Sequence, residues 1–169
     1  FSLAACAASA VWEPLTSSKQ RDCGQEAPCR LFESNGTFEV ILGQEIKQSM
    51  RRLAKFEIRN LKTGKSQEFK LSEINNIGPD DFFEVVKIKG LRSGSEVDLA
   101  VHAYNSAREG KVYYYFIYDP KAQSFVMSEG TFPKLKIDSA SKKFVSDIQG
   151  VPYALGEDLK FKPTPEKKQ

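Results

Sequence analysis

Few residues in this chain of 169 have the type and spacing that reactive chemistry demands. The single histidine, His102, falls on the polar side of an alternating stretch. A lone imidazole there reads as a surface or hydrogen-bonded group rather than an acid–base catalyst. Cys23 and Cys29 lack the C-x-x-C spacing of a redox or zinc pair, and no further ligands accompany them. Asp80-Asp81 and Glu157-Asp158 are neighbouring carboxylates. Adjacent side chains on extended backbone point in different directions, so each pair reads as solvated turn residues. No glycine-rich phosphate loop follows a strand. The expectation is therefore a protein without catalytic residues, cofactor or metal, whose function is to bind.

The three cysteines carry a different message. Cys23 and Cys29 flank Gly24 and Pro28, a spacing suited to a short-loop disulfide in an oxidising compartment. That leaves Cys6 odd. Leu3-Ala4-Ala5-Cys6 resembles the bacterial lipobox, whose cysteine is acylated, while Ala8-Ser9-Ala10 offers a rival cleavage site with maturation at Val11. An unpaired thiol in an exported protein is a liability unless it has a use, which favours lipidation of Cys6. Both routes lead out of the cytoplasm, and the expected location is the bacterial periplasm with a lipid anchor in the envelope. No other apolar run approaches the ~20 residues that span a bilayer. Residues 1–10 read as a leader remnant and 11–27 as a flexible tether, with Trp12 resting on the membrane or packing back on the domain.

The remaining length suits one domain able to bury its own core, here 28–155. A net charge of +3, dispersed along the chain, is too weak to argue for nucleic acid. A local excess of lysine occurs only at Lys160, Lys162, Lys167 and Lys168, separated by Pro163 and Pro165, so 156–169 reads as a polar, solvated tail.

What positions the loops of this domain is a series of short strands. Ala54, Phe56 and Ile58 alternate with charged residues, as do Gln67, Phe69 and Leu71 after a Lys-Thr-Gly-Lys turn, and Val97, Leu99, Val101 and Ala103 line one side of another segment. Asn35-Gly36 is a hairpin signal. Gln44–Arg52 and Leu71–Ile77 are the only candidates for helical turns. The run from Lys111 to Asp119 holds four of the six tyrosines and ends in Asp119-Pro120-Lys121-Ala122, a tight-turn sequence. It sets Val112, Tyr114, Phe116 and Tyr118 on one face and Tyr113, Tyr115 and Ile117 on the other, as in a strand covered on both sides. The fold class is all-β: a single antiparallel β-sandwich or open propeller-like domain of short strands and hairpins, with at most one or two short helical turns.

Val97-Asp98-Leu99-Ala100-Val101, the aromatic strand ending in Tyr118-Asp119-Pro120-Lys121, Phe125-Val126, Leu135 and Ile137-Asp138 together resemble bacterial periplasmic immunity proteins. These neutralise secreted lysozyme-like effectors and are related to inhibitors of invertebrate-type lysozyme. The resemblance covers about Val85 to Ser146 and implies an inhibitor that occludes a secreted peptidoglycan-targeting hydrolase. Two departures stand out. The family's acidic calcium loop is replaced by Gly90 to Ser95, with Arg92 in the middle and only Asp98 and Glu96 as possible ligands, so no metal is carried over. Its Ser-Gly-x-x-Tyr inhibitory loop is reduced to Ser93-Gly94-Ser95 without the tyrosine. Candidate partner-binding residues are Ser93, Gly94, Ser95, Asn105, Ser106, Arg108, Glu109 and Tyr113. Arg108 leads them, because cell-wall hydrolases work with acidic groups that a guanidinium can pair. The alternative is an accessory or structural envelope lipoprotein that docks a membrane complex through the tyrosine strand.

Overall fold

The structure is a computed structural model and describes residues 10–15, 29–32, 36–47, 50–71, 84–92, 97–138 and 143–164. Cys6, Cys23, Ser93, Gly94 and Ser95 lie outside these residues, as do Asp80-Asp81 and most of the Leu71–Ile77 segment. The described residues form antiparallel strands in three sheets and contain no helix.

The first sheet runs β2 (Cys29–Phe32), β3 (Phe38–Lys47), β4 (Met50–Asn60) and β5 (Ser66–Phe69), each paired with the next. Of Gln44–Arg52, expected as a helical turn, the described residues are instead strand, at the end of β3 and the start of β4. A register shift at Gly43/Gln44 lets the pairing continue. Glycine is required there, since a Cβ on Gly43 would lie 2.7 Å from Cβ of Lys55.

The largest sheet has the order β1 (Val11–Pro14), β6 (Val85–Lys89), β7 (Val97–Ser106), β8 (Gly110–Asp119) and β10 (Phe132–Pro133). β9 (Ser124–Met127) pairs the far half of β8. Between β9 and β10, the Ser128 hydroxyl accepts the Tyr115 N–H at 3.0 Å and keeps the β8 ladder satisfied across the gap. The third sheet joins β11 (Leu135–Ile137), β12 (Phe144–Ser146), β13 (Pro152–Leu155) and β14 (Phe161–Pro163).

The largest sheet lies in the middle. Tyr114 and Phe116 pack with Phe38, Val40, Phe56 and Ile58 of the first sheet, whereas Tyr113, Tyr115 and Ile117 pack with Leu135, Tyr153 and Phe161 of the third. Both faces of β8 are therefore covered, as its uninterrupted apolar run implies. Among the described residues, Val112 to Ile117 of the tyrosine strand are therefore buried between the two layers. Tyr115 also ties two layers together: its hydroxyl donates to the Pro133 carbonyl at 2.6 Å and accepts the Leu135 N–H at 3.0 Å.

Both expected margins of the domain are corrected. Residues 11–14 are not tether but an edge strand, paired with β6 from Val11↔Lys89 to Pro14↔Val86. The reason is burial: Leu15 enters one core, and Trp12 packs back on the domain at 5.1 Å from Tyr113 and 5.8 Å from Tyr115. Within the expected polar tail, Phe161–Pro163 is likewise a strand, because Phe161, 2% exposed, fills a slot between Tyr115, Phe132 and Phe144.

Candidate functional site

The β7–β8 hairpin brings Asn105, Ser106, Arg108 and Glu109 to one tip of the central sheet. Its backbone is fixed by its own side chains. The Ser106 hydroxyl accepts the N–H groups of Arg108 and Glu109, each at 3.3 Å, a local turn that Ser adopts readily. Gly110 closes the turn at φ 69°, a conformation that disfavours any side chain, and the Ile148 methyl sits where a Cβ would project. A brace comes from the third sheet: Gln149 donates its side-chain amide to the Arg108 carbonyl at 3.0 Å. On the other flank, Nε2 of His102 lies 3.0 Å from Oδ1 of Asn105 and acts as the donor.

On this scaffold the Arg108 side chain is exposed, and its guanidinium has no hydrogen bond or ion pair among the described residues. The other arginines whose side chains are described are engaged: Arg59 with Glu57, and Arg92 with Asp98.

Behind the tip, a groove of about 380 Å³ runs between the central sheet and the Asp147–Gln149 turn. Trp12 and Tyr113 form its floor. Glu84 and Lys111 meet on one wall at 2.7 Å, and the Lys134 ammonium lies 5.3 Å from the Trp12 ring centroid. Ile148, 65% exposed, forms the rim beside the hairpin. The Tyr113 hydroxyl donates to Glu84 at 3.5 Å, and burial followed by the Glu84 carboxylate pushes its phenol well above the ordinary range. Tyr113 stays neutral, and the Glu84 carboxylate accepts from both Lys111 and Tyr113. Among the described residues, no three His, Cys, Asp or Glu side chains are grouped to hold a metal ion.

The sequence grouped residues that the fold separates. Ser93 to Ser95 belong to the β6–β7 connection, and that connection and the β7–β8 hairpin leave opposite ends of β7. Tyr113, expected at the contact surface, is only 3% exposed and supports the groove from below. The groove's other contributors, Trp12, Glu84, Lys134, Asp147 and Ile148, went unnoticed as site residues because they meet only when three distant segments stack.

Just after β6, a cation is turned inward. Arg92 donates to both carboxylate oxygens of Asp98, at 3.1 and 2.6 Å, and to the Tyr118 carbonyl at 2.9 Å. Asp98 also accepts the Tyr118 N–H at 2.9 Å and is 1% exposed. Its oxygens are thus engaged by a guanidinium and a backbone amide.

No family model, curated protein or solved structure matches the chain. Among the described residues, no helix is long and apolar enough to cross a membrane.

Proposed function

We propose that this protein is a non-catalytic immunity or inhibitor protein of the bacterial envelope, anchored through Cys6, that occludes a secreted cell-wall hydrolase with its β7–β8 hairpin. The observation that carries the reading is Arg108: a guanidinium with no partner among the described residues, on a tip whose backbone is held by Ser106 and Gln149. A partner that engages it meets a loop already in its final shape, which lowers the ordering cost of association. Glycan-cleaving enzymes commonly carry paired carboxylates in an open cleft, and a guanidinium on a narrow hairpin is complementary to such a cleft. The groove behind the tip adds Ile148 and the Glu84–Lys111 pair as a shoulder for the rim of that cleft. The resemblance to periplasmic immunity proteins points the same way.

The test is capture of periplasm-targeted hydrolase effectors from the same strain by the purified domain, with affinity measured for wild type and Arg108→Ala. The expected loss is ~2 kcal/mol, about thirtyfold in Kd, as for other arginine hot spots. Undiminished affinity and protection with Arg108→Ala would remove the hairpin from the interface.

A further inference from the structure

The two ends of the central sheet are unlike, and the anchor enters at one of them. Val11 pairs with Lys89, Lys89 with Val97, and Leu99 with Phe116, so Val11, Lys89 and the Asp119–Ser124 turn share one end. The Arg108 hairpin leaves the other. β7 runs from end to end over 10 residues, a length of ~30 Å at ~3.3 Å per residue.

If Cys6 carries the lipid, only Ala7 to Ala10 separate it from β1. Such a segment reaches at most ~14 Å. Ala10 already packs against the core beneath the third sheet, so the described fold begins one residue before the strand. The long tether expected from sequence is therefore absent between lipid and domain: most of 11–27 lies after the chain has joined the sheet. We propose that the protein stands on this end of its central sheet, with Val11, Lys89 and Lys121 against an anionic lipid surface and the Arg108 hairpin projecting away from it. This orientation rests on the lipid anchor of the proposed function.

The surface at the Val11 end suits that partner. Val11 is 48% exposed although apolar, and Pro120 and Lys121 are exposed on the neighbouring turn. Lys89 and Lys121 have no acidic partner among the described residues, as is also true of Lys62, Lys65, Lys70, Lys134 and Lys143, whereas Lys55, Lys87, Lys111, Lys136, Lys160 and Lys162 do. Lysines beside an anchoring chain are drawn to anionic headgroups. On the edge formed by β1, the exposed Glu13 is paired with Lys87 at 3.1 Å, so that edge offers such a surface no free cation among the described residues of β1. Standing on the strand ends is thus favoured over lying on the β1 edge.

The experiment uses the full chain, metabolically labelled with an alkyne fatty acid, purified and reconstituted in phosphatidylglycerol-containing vesicles that carry a headgroup acceptor dye. A fluorescent amino acid is introduced at Lys121 or at Ala107, both exposed positions at opposite ends of the sheet. Energy transfer to the bilayer should be severalfold stronger from position 121. A flexible Gly-Ser spacer inserted between Ala8 and Ser9 should shrink that difference. Acylated protein with equal or reversed transfer overturns the orientation and leaves the anchor standing. Absence of acyl label from Cys6 overturns the anchor, and the orientation falls with it.

Discussion

Arg92 and Arg108 sit at opposite ends of the central sheet, in short connections of similar composition, Leu91-Arg92-Ser93-Gly94 and Ala107-Arg108-Glu109-Gly110. Arg92 is folded inward: its guanidinium grips the buried Asp98 and the Tyr118 carbonyl, closing the sheet where β7 and β8 meet the β8–β9 turn. Arg108 has its backbone held and its charge unopposed among the described residues. An arginine's role is thus decided by whether the fold supplies a carboxylate within reach, and by how deeply that carboxylate is buried. The first arginine should report on stability and the second on binding.

The largest effect is expected where the engaged arginine is removed. Arg92→Ala leaves the Asp98 carboxylate, 1% exposed, without its guanidinium. Breaking a buried pair from one side typically costs ~3–5 kcal/mol, because the remaining charge has lost its hydration. Urea unfolding of Arg92→Ala should show a midpoint shift of that size. The double variant Arg92→Ala/Asp98→Ala should recover part of it, since no lone charge remains. If the double variant were as unstable as the sum of the two single ones, Asp98 would be supported chiefly by groups other than Arg92.

A neutral version of the same contrast exists on β8. The Tyr115 hydroxyl bridges the Pro133 carbonyl and the Leu135 N–H, both buried beneath the third sheet. Tyr115→Phe keeps the ring contacts with Trp12 and Phe161 but leaves those two groups unsatisfied. A loss of ~1–3 kcal/mol is expected by denaturant unfolding, smaller than for Arg92→Ala because no charge is stranded.

Tyr113 gives this part of the core a pH limit. Burial, then the Glu84 carboxylate, holds its phenol above the ordinary value, and burial does the same to Tyr115. The unfolded chain ionises first, near pH 10. The stabilisation from keeping these phenols neutral is therefore complete below about pH 10 and declines as pH rises above it. Unfolding midpoints measured through the alkaline range should fall there, and Glu84→Gln should soften the decline by removing one of the two causes at Tyr113. A midpoint independent of pH in that range would mean the phenols ionise equally in both states.

Much of this could be read from the chain because β8 announces itself. A run of aromatic and β-branched residues apolar on both faces has one stable place, between two layers. The flanking hairpins were equally plain, since their alternation matches one covered face. Legibility failed where a strand is too short to show a period. Val11–Pro14 has four residues and a proline, and its place on β6 follows from where Trp12 and Leu15 find cover. Phe161 was hidden among lysines and prolines for the same reason: one aromatic ring, not a pattern, brings that segment into the third sheet. The Arg92–Asp98 pair was within view as two charges near one turn, yet its meaning depended on Asp98 pointing inward, which a one-residue change in register would reverse. The groove lay out of reach altogether. Trp12, Glu84 and Asp147 are far apart in sequence, and no local preference tells a residue which distant strand it will face.

The smallest stability effect belongs to the other arginine, and it separates the two roles. Arg108→Ala removes an exposed side chain that makes no hydrogen bond or ion pair with the described residues. The turn does not depend on that side chain. Its contacts run through the Arg108 N–H to Ser106 and through the Arg108 carbonyl to Gln149, and alanine keeps both groups. The unfolding midpoint should move by no more than ~0.5 kcal/mol, the range of surface substitutions away from special contacts. A variant that unfolds like wild type yet loses affinity for the proposed hydrolase partner has lost a contact and nothing else. Ser106→Ala and Gln149→Ala provide the complement. Each frees the hairpin backbone and keeps the guanidinium, so affinity should fall through the cost of re-ordering the loop, by less than for Arg108→Ala. Should Arg108→Ala instead destabilise the fold as Arg92→Ala does, the guanidinium has a partner within the molecule, and the two arginines are both structural.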